Sequence, residues 1–161
     1  MFNDGWNAAK REGIIRGAYH FLIGGGATEQ ADNFVTTVGQ LDPGDLPPVV
    51  VFDANPGGPS ATVEDLVSWL EAVERRFGAR PVIYSGNYLR TLVGASAPDK
   101  LLGYPIWLAQ YGPTPVVPTG WSRWTFGSSR MAHSDPNRIL SLASDDATFR
   151  GSTAHCRSLR P

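Results

Sequence analysis

The clearest structural signal in the chain is Leu46-Pro-Pro-Val-Val-Val-Phe-Asp-Ala-Asn-Pro-Gly-Gly58. Its β-branched run predicts a buried strand over residues 48–53, and the Pro/Gly turn after it ends that strand. In a β/α barrel, such a strand delivers its last side chain to the rim. Because side chains alternate along a strand, positions 51 and 53 share one face. Asp53 is therefore a candidate catalytic acid, and Val51 supplies no second carboxylate beside it.

Helices and strands are predicted to alternate on both sides of this strand. Thr62-Val-Glu-Asp65 resembles a capping box, and apolar residues recur at helical spacing from there to Gly78. A short apolar strand over 81–84 follows. Further helices are expected at 4–12 and 28–40, and further strands at 14–21, 104–109, 122–126 and 138–143. Alternation of this kind favours a parallel sheet with helices outside it and functional groups at the carboxyl ends of the strands.

The composition favours a single globular domain over residues 1–161. Fourteen Lys and Arg against fifteen Asp and Glu leave a formal charge of −1, so no global field favours nucleic acid as a partner. One cysteine, Cys156, allows no internal disulfide, and no Cys/His cluster has zinc spacing, so we expect neither a metal nor another cofactor. We also expect no membrane partner and find no export signal in the chain as written, which leaves its location undetermined.

Polar and aromatic side chains occur near the ends of several predicted strands. Collected on one rim, they would form a cleft with flat ring surfaces and hydrogen-bonding groups, which suits a carbohydrate. The alternative is that these rings only close the hydrophobic core. The candidate substrate-binding residues are Tyr19, His20, Tyr84, Trp107, Gln110, Tyr111 and Trp124.

Three glycines, Gly24-Gly-Gly26, follow the strand predicted to end near Phe21. A glycine-rich turn can bind phosphate, but the Gly-Lys-Ser/Thr of a phosphate loop does not follow here. We interpret the glycines as a flexible loop.

Taken together, these motifs resemble the family 25 glycoside hydrolases, the Chalaropsis-type lysozymes. The matching segments keep the family's order and span nearly the whole chain. They are Gly17-Ala-Tyr-His-Phe21, Gln30-Ala-Asp-Asn-Phe34, Leu46-Pro-Pro-Val49 with Asn55-Pro-Gly-Gly58, Pro81-Val-Ile-Tyr84 and Ile106-Trp-Leu-Ala-Gln-Tyr111. The resemblance implies an irregular TIM-like β/α barrel and hydrolysis of the β-1,4 bond between N-acetylmuramic acid and N-acetylglucosamine in peptidoglycan.

The family's acid motif is Asp-x-Glu on the strand after the Pro-Pro pair. A gapless alignment places this motif on Val51-Phe52-Asp53, so that Asp53 stands at the proton donor's position and Val51 replaces the neighbouring Asp. An alternative alignment, which requires an insertion, places Asp53 on the motif's Asp and Asn55 on its Glu. We prefer the gapless alignment. It implies a proton donor whose carboxyl is drawn back by one methylene.

Other catalytic positions also depart from the family pattern. The first two strands, including one that carries an active-site Asp, have no counterpart, which predicts a barrel incomplete at its N-terminus. Near the other end, Asp145 aligns with a family acid and is a candidate electrostatic partner, with Asp146 as the neighbouring candidate. Thr125 stands where a Gln is usual.

These departures leave three hypotheses for the function. The chain is a muramidase with weakened catalysis, a glycan-binding protein that has lost catalysis, or a truncated fragment with no independent role.

Overall fold

The computed structural model describes residues 2–110 and 115–127, together with the backbone of residues 141–142. Its helices are α1 (Phe2–Arg11), α2 (Ala27–Val38), α3 (Val63–Phe77), α4 (Asn87–Val93) and α5 (Asp99–Leu102). Its strands are β1 (Tyr19–Phe21), β2 (Val49–Val51), β3 (Val82–Ser85), β4 (Ile106–Leu108), β5 (Phe126–Gly127) and β6 (Ser141–Leu142). The predicted alternation of helices and strands is confirmed, while α4 and α5 were not predicted.

The six strands form one sheet in the order β1-β2-β3-β4-β5-β6. The first five strands run parallel, as predicted, and β6 pairs antiparallel with β5. The strand β1 forms one edge of this sheet and β6 forms the other, so the described strands do not close into a barrel. Because β1 to β4 run parallel, their carboxyl ends lie at the same end of the sheet, where a β/α fold places its functional groups.

The helix α3 forms as the capping pattern predicts. The Asp65 backbone N–H donates to the Thr62 hydroxyl at 3.1 Å, and the Thr62 N–H donates back to the Asp65 carboxylate at 2.9 Å. The helix ends at Gly78, whose left-handed φ of 65° is one that glycine adopts without strain. Between these ends, α3 buries Leu66, Trp69, Leu70 and Val73.

The hydrophobic core lies between these helices and one face of the sheet. That face carries Val50, Ile83 and Ile106, which are register partners on neighbouring strands and fully buried. Opposite them, the Phe34 ring of α2 packs 5.3 Å from the Trp69 ring of α3, measured between centroids. Because side chains alternate along a strand, the residues next to these core positions face away from the helices.

A buried ion cluster holds the segment before β1. The Arg16 side chain is only 3% exposed, and it binds Asp45 through two hydrogen bonds of 2.8 and 2.6 Å. It also binds Asp42 at 2.7 Å and stacks over the Trp6 ring of α1. The hydrogen bonds from Arg16 lower the pKa of Asp45 below its usual range. This cluster joins α1, the chain leading into β1 and the loop before β2.

No helix in the described ranges has the length and apolar character that crossing a membrane requires.

Candidate functional site

Asp53 lies just beyond the end of β2, where the sequence pattern places it. The β2 ladder continues for one residue past Val51, since the Phe52 N–H donates to the Tyr84 carbonyl at 2.9 Å. Phe52 is fully buried on the helix side, and Asp53 is exposed on the opposite side. One Asp53 carboxylate oxygen accepts the N–H of Ala54 at 2.8 Å.

A row of apolar and aromatic side chains crosses the sheet on the same face as Asp53. Its members are direct register partners on successive strands. The Trp107 ring lies 5.4 Å from the Tyr84 ring and 5.6 Å from the Phe126 ring, measured between centroids. We call this set the aromatic row, and it consists of Phe21, Val51, Tyr84, Trp107 and Phe126. Flat ring surfaces next to an exposed carboxylate suit a sugar, whose C–H groups pack on rings and whose hydroxyls bind carboxylates.

Predicted site residues Tyr84 and Trp107 thus lie together in this row. Tyr19 lies on the same face of β1 and is 72% exposed. Phe21 and Phe126 were not proposed as site residues, because an apolar residue at a strand end carries no chemical signal in the sequence. Phe21 and Phe126 join the row because strand register aligns them with Tyr84 and Trp107, and this register is known only once the sheet has formed.

The end of β3 supports the backbone beside Asp53. Ser85 is buried, and its hydroxyl donates to the Phe52 carbonyl at 2.6 Å. The same oxygen accepts the Leu89 N–H at 3.3 Å, in the first turn of α4. Ser85 therefore joins the carboxyl end of β2 to the start of α4.

The loop after Asp53 is shaped by its own side chains. The Asn55 N–H donates to the Ser60 hydroxyl at 2.9 Å, and the Asn55 side chain binds the Gly57 N–H and the Pro59 carbonyl. The Asn55 side chain therefore makes its hydrogen bonds within the loop. These bonds disfavour the alternative alignment, in which Asn55 takes the proton donor's position.

Acidic groups are sparse on this face. Along the described strands, the face that carries the aromatic row has no carboxylate except Asp53, which follows β2. Position 51, two residues earlier on the same face, is a half-buried Val and carries no carboxylate. Glycoside hydrolysis uses a proton donor together with a second group that stabilises or captures the oxocarbenium-like centre. The described part of this face carries Asp53 as a candidate for the first group and no second carboxylate.

Other predicted site residues lie elsewhere. His20 is on the opposite face of β1 from Tyr19, and its ring stacks on buried Trp69 at 5.8 Å with an interplanar angle of 8°. The prediction that His20 lines the cleft is not supported, because strand alternation turns it towards α2 and α3. Trp124 is half-buried and packs against the core, as the alternative for such rings predicts. Gln110 follows β4, where its side-chain oxygen accepts the Val116 N–H at 2.7 Å.

Two predicted residues, Tyr111 and Asp145, lie outside the described residues, and so does Asp146. In the described part of the chain, no group of three or more His, Cys, Asp or Glu side chains is arranged to hold a metal ion.

Comparison with known proteins identifies the family and supports the fold. The model of the glycosyl hydrolases family 25 matches residues 1–133. Lysozyme M1 from Streptomyces globisporus is 31% identical over 173 residues, which cover 98% of this chain and 57% of that protein. The N,O-diacetylmuramidase from Arthroderma benhamiae is 29% identical and is covered to 58% of its length, against 78% of this chain. Among solved structures, the bacterial lysozyme from Streptomyces coelicolor superposes with a TM-score of 0.69 at 28% identity, covering 89% of this chain and 70% of that chain.

The chain belongs to glycosyl hydrolase family 25. Its α/β fold, with five parallel strands, matches the structures of that family. The chain spans between 40% and 58% of the length of the curated relatives it matches.

Proposed function

We propose that this chain binds peptidoglycan glycan strands across the aromatic row and hydrolyses their β-1,4 bonds only weakly, with Asp53 as proton donor. The observation that carries this proposal is the single carboxylate at the end of β2, exposed beside a row of aromatic rings. Membership of the family supports an amino-sugar glycan as the ligand.

Glycan binding is supported by the chemistry of the exposed face. Tyr84 and Trp107 are half-buried, so their rings are held in place while part of each stays accessible. The T-shaped contact between them, with an interplanar angle of 84°, holds the two rings nearly perpendicular. Rings fixed in this way bind a sugar without losing much side-chain entropy.

Weak catalysis is supported by two changes at the acid motif. Asp53 is one methylene shorter than the Glu that the family resemblance expects, and a misplacement of about 1 Å can lower a rate on the order of 10²-fold. Val51 replaces the neighbouring Asp, which removes a charge that would stabilise the oxocarbenium-like centre. Each change leaves the apolar and aromatic binding surface intact.

The second candidate function is glycan binding without any hydrolysis. The absence of a second carboxylate along the described strands of this face favours it, because one group rarely serves as both proton donor and stabiliser. Asp145, which would be the electrostatic partner of Asp53 in the weak enzyme, lies outside the described residues.

Cell-wall lysis separates the two candidates. Purified peptidoglycan is incubated with the wild-type chain and with Asp53→Asn between about pH 4 and pH 8, and released reducing ends are measured. The weak enzyme releases reducing ends slowly, and Asp53→Asn abolishes that release. Release that is equal in the two proteins removes Asp53 as the proton donor. No release at any pH removes the weak enzyme as a candidate.

A further inference from the structure

The glycine loop between β1 and α2 is held by one side chain, Gln30. The side-chain nitrogen of Gln30 donates to the Ile23 carbonyl at 2.9 Å and to the Gly25 carbonyl at 2.6 Å. Its oxygen accepts the Ile23 N–H at 3.2 Å. Ile23 thus has both of its backbone groups bound by one amide, as a neighbouring strand would bind them.

A histidine behind the sheet binds the oxygen of this amide. The Gln30 oxygen lies 3.0 Å from Nε2 of His20, and an amide oxygen can only accept, so His20 donates from Nε2. The His20 ring is itself fixed by stacking on Trp69 in the core. Reversing the Gln30 amide would place its NH₂ against the Ile23 N–H and its oxygen against the Ile23 and Gly25 carbonyls. His20 and Gln30 therefore hold the loop in one conformation.

The loop that Gln30 holds lies against the loop that carries Asp53. The Gly24 N–H donates to the Pro59 carbonyl at 2.9 Å, and Ile23 forms an antiparallel bridge with Ser60. A Cβ atom at Gly24 would lie 2.7 Å from the Ser60 carbonyl oxygen, so only glycine permits this approach. Ser60 in turn accepts the Asn55 N–H, two residues from Asp53.

We propose that Gln30 is a positioning residue that fixes the glycine loop against residues 53–60 and so sets the rim of the glycan cleft beside Asp53. The inference deepens the proposed function and rests on it for the identity of the ligand. It also assigns a role to His20, which acts through Gln30 from behind the sheet. Helix α2 has no side-chain cap at its N-terminus, so no capping side chain anchors the loop at this end.

Gln30→Glu tests the inference with the least change in shape. It keeps the acceptor for Ile23 and His20 and removes both donors to the loop carbonyls. The matched control is Glu29→Gln, which lies one residue earlier, is exposed and exchanges the same two side-chain types. Amide exchange at Gly24 reports the contact between the loops, and exchange at Val50 reports the core. Binding of chitohexaose reports the glycan site.

We expect Gln30→Glu to speed exchange at Gly24 and to weaken chitohexaose binding, each by at least about tenfold, because two hydrogen bonds to the loop carbonyls are lost. Exchange at Val50 should stay at the wild-type rate. The control should match the wild type in every readout. A general loss of structure would instead speed exchange at Gly24 and Val50 together.

Unchanged exchange at Gly24 overturns the inference, and so does faster exchange with unchanged chitohexaose binding. Should Gln30→Glu fail to fold, Gly24→Ala separates the same two loops from the other side, and unchanged binding in that variant also refutes the role. A wild-type chain that does not bind chitohexaose refutes the proposed function and the glycan part of this inference. Exchange at Gly24 still decides in that case whether Gln30 holds the loop.

Discussion

Substitution of Ser85 by alanine should destabilise the chain more than its small size suggests. Ser85 is 2% exposed, and its hydroxyl serves two backbone groups at once. It donates to the Phe52 carbonyl at 2.6 Å and accepts the Leu89 N–H at 3.3 Å. Leu89 is the third residue of α4, where backbone N–H groups have no partner within the helix. Ser85→Ala therefore leaves a buried acceptor and a buried donor without their partner.

The expected cost is about 1–3 kcal/mol of unfolding free energy, the penalty for a buried polar group left without a hydrogen bond. For a chain of this length, Tm falls by about 2–4 °C for each kcal/mol lost, so we expect Tm to fall by roughly 2–12 °C. Urea unfolding followed by tryptophan fluorescence measures the free energy, and thermal circular dichroism measures Tm.

The matched control is Ser68→Ala on α3. The Ser68 hydroxyl also donates to a backbone carbonyl, that of Glu64 at 2.9 Å, but this bond is exposed to water. Its loss should change stability by less than about 0.5 kcal/mol. Equal stability losses in the two variants would refute the argument from burial. A Ser85→Ala variant as stable as the wild type would refute the role of the hydroxyl itself.

Three further predictions address acid stability, helix capping and catalysis. Arg16 lowers the pKa of Asp45, so the bond between them stabilises the fold at pH values above the ordinary carboxyl pKa. This stabilisation is lost as the pH falls through the lowered pKa of the folded chain. The free energy of unfolding in urea should therefore change less between pH 7 and pH 3 in Asp45→Asn than in the wild type. An equal pH dependence in both proteins would contradict this. Thr62→Ala removes the α3 cap and should cost about 1 kcal/mol in the same assay, and a loss near zero would show that the cap is not needed. Val51→Asp combined with Asp53→Glu restores the family's acid motif and should raise reducing-end release from peptidoglycan, whereas an unchanged rate would mean that other missing groups limit catalysis.

The elements with strong local signals could be predicted from the sequence. The capping box at Thr62, the apolar spacing of α3 and the β-branched run of β2 each encode their structure within a few residues. The short helices α4 and α5 were missed because seven and four residues hold too few turns for a periodic pattern. The strand β5 begins later than expected, at Phe126, since pairing with β4 decides where it starts.

The candidate site could be predicted in part. Asp53 lies at a strand end, and its face follows from alternation alone. His20 also lies at a strand end, but its parity places it behind the sheet, against Trp69. The role of Gln30 could not be read from the sequence, because its partners His20 and Gly25 are brought together only by the turn from β1 into α2.

Isothermal titration calorimetry with chitohexaose shows whether the aromatic row is a glycan-binding surface. We expect saturable binding by the wild-type chain and binding about tenfold weaker in Trp107→Ala, since that variant removes the ring between Tyr84 and Phe126. We also expect a dissociation constant for Asp53→Asn within about threefold of the wild type, because the surface that binds is mainly aromatic. Circular dichroism confirms that each variant is folded. No saturable binding, or equal affinity in Trp107→Ala and the wild type, would show that the aromatic row is not the glycan site.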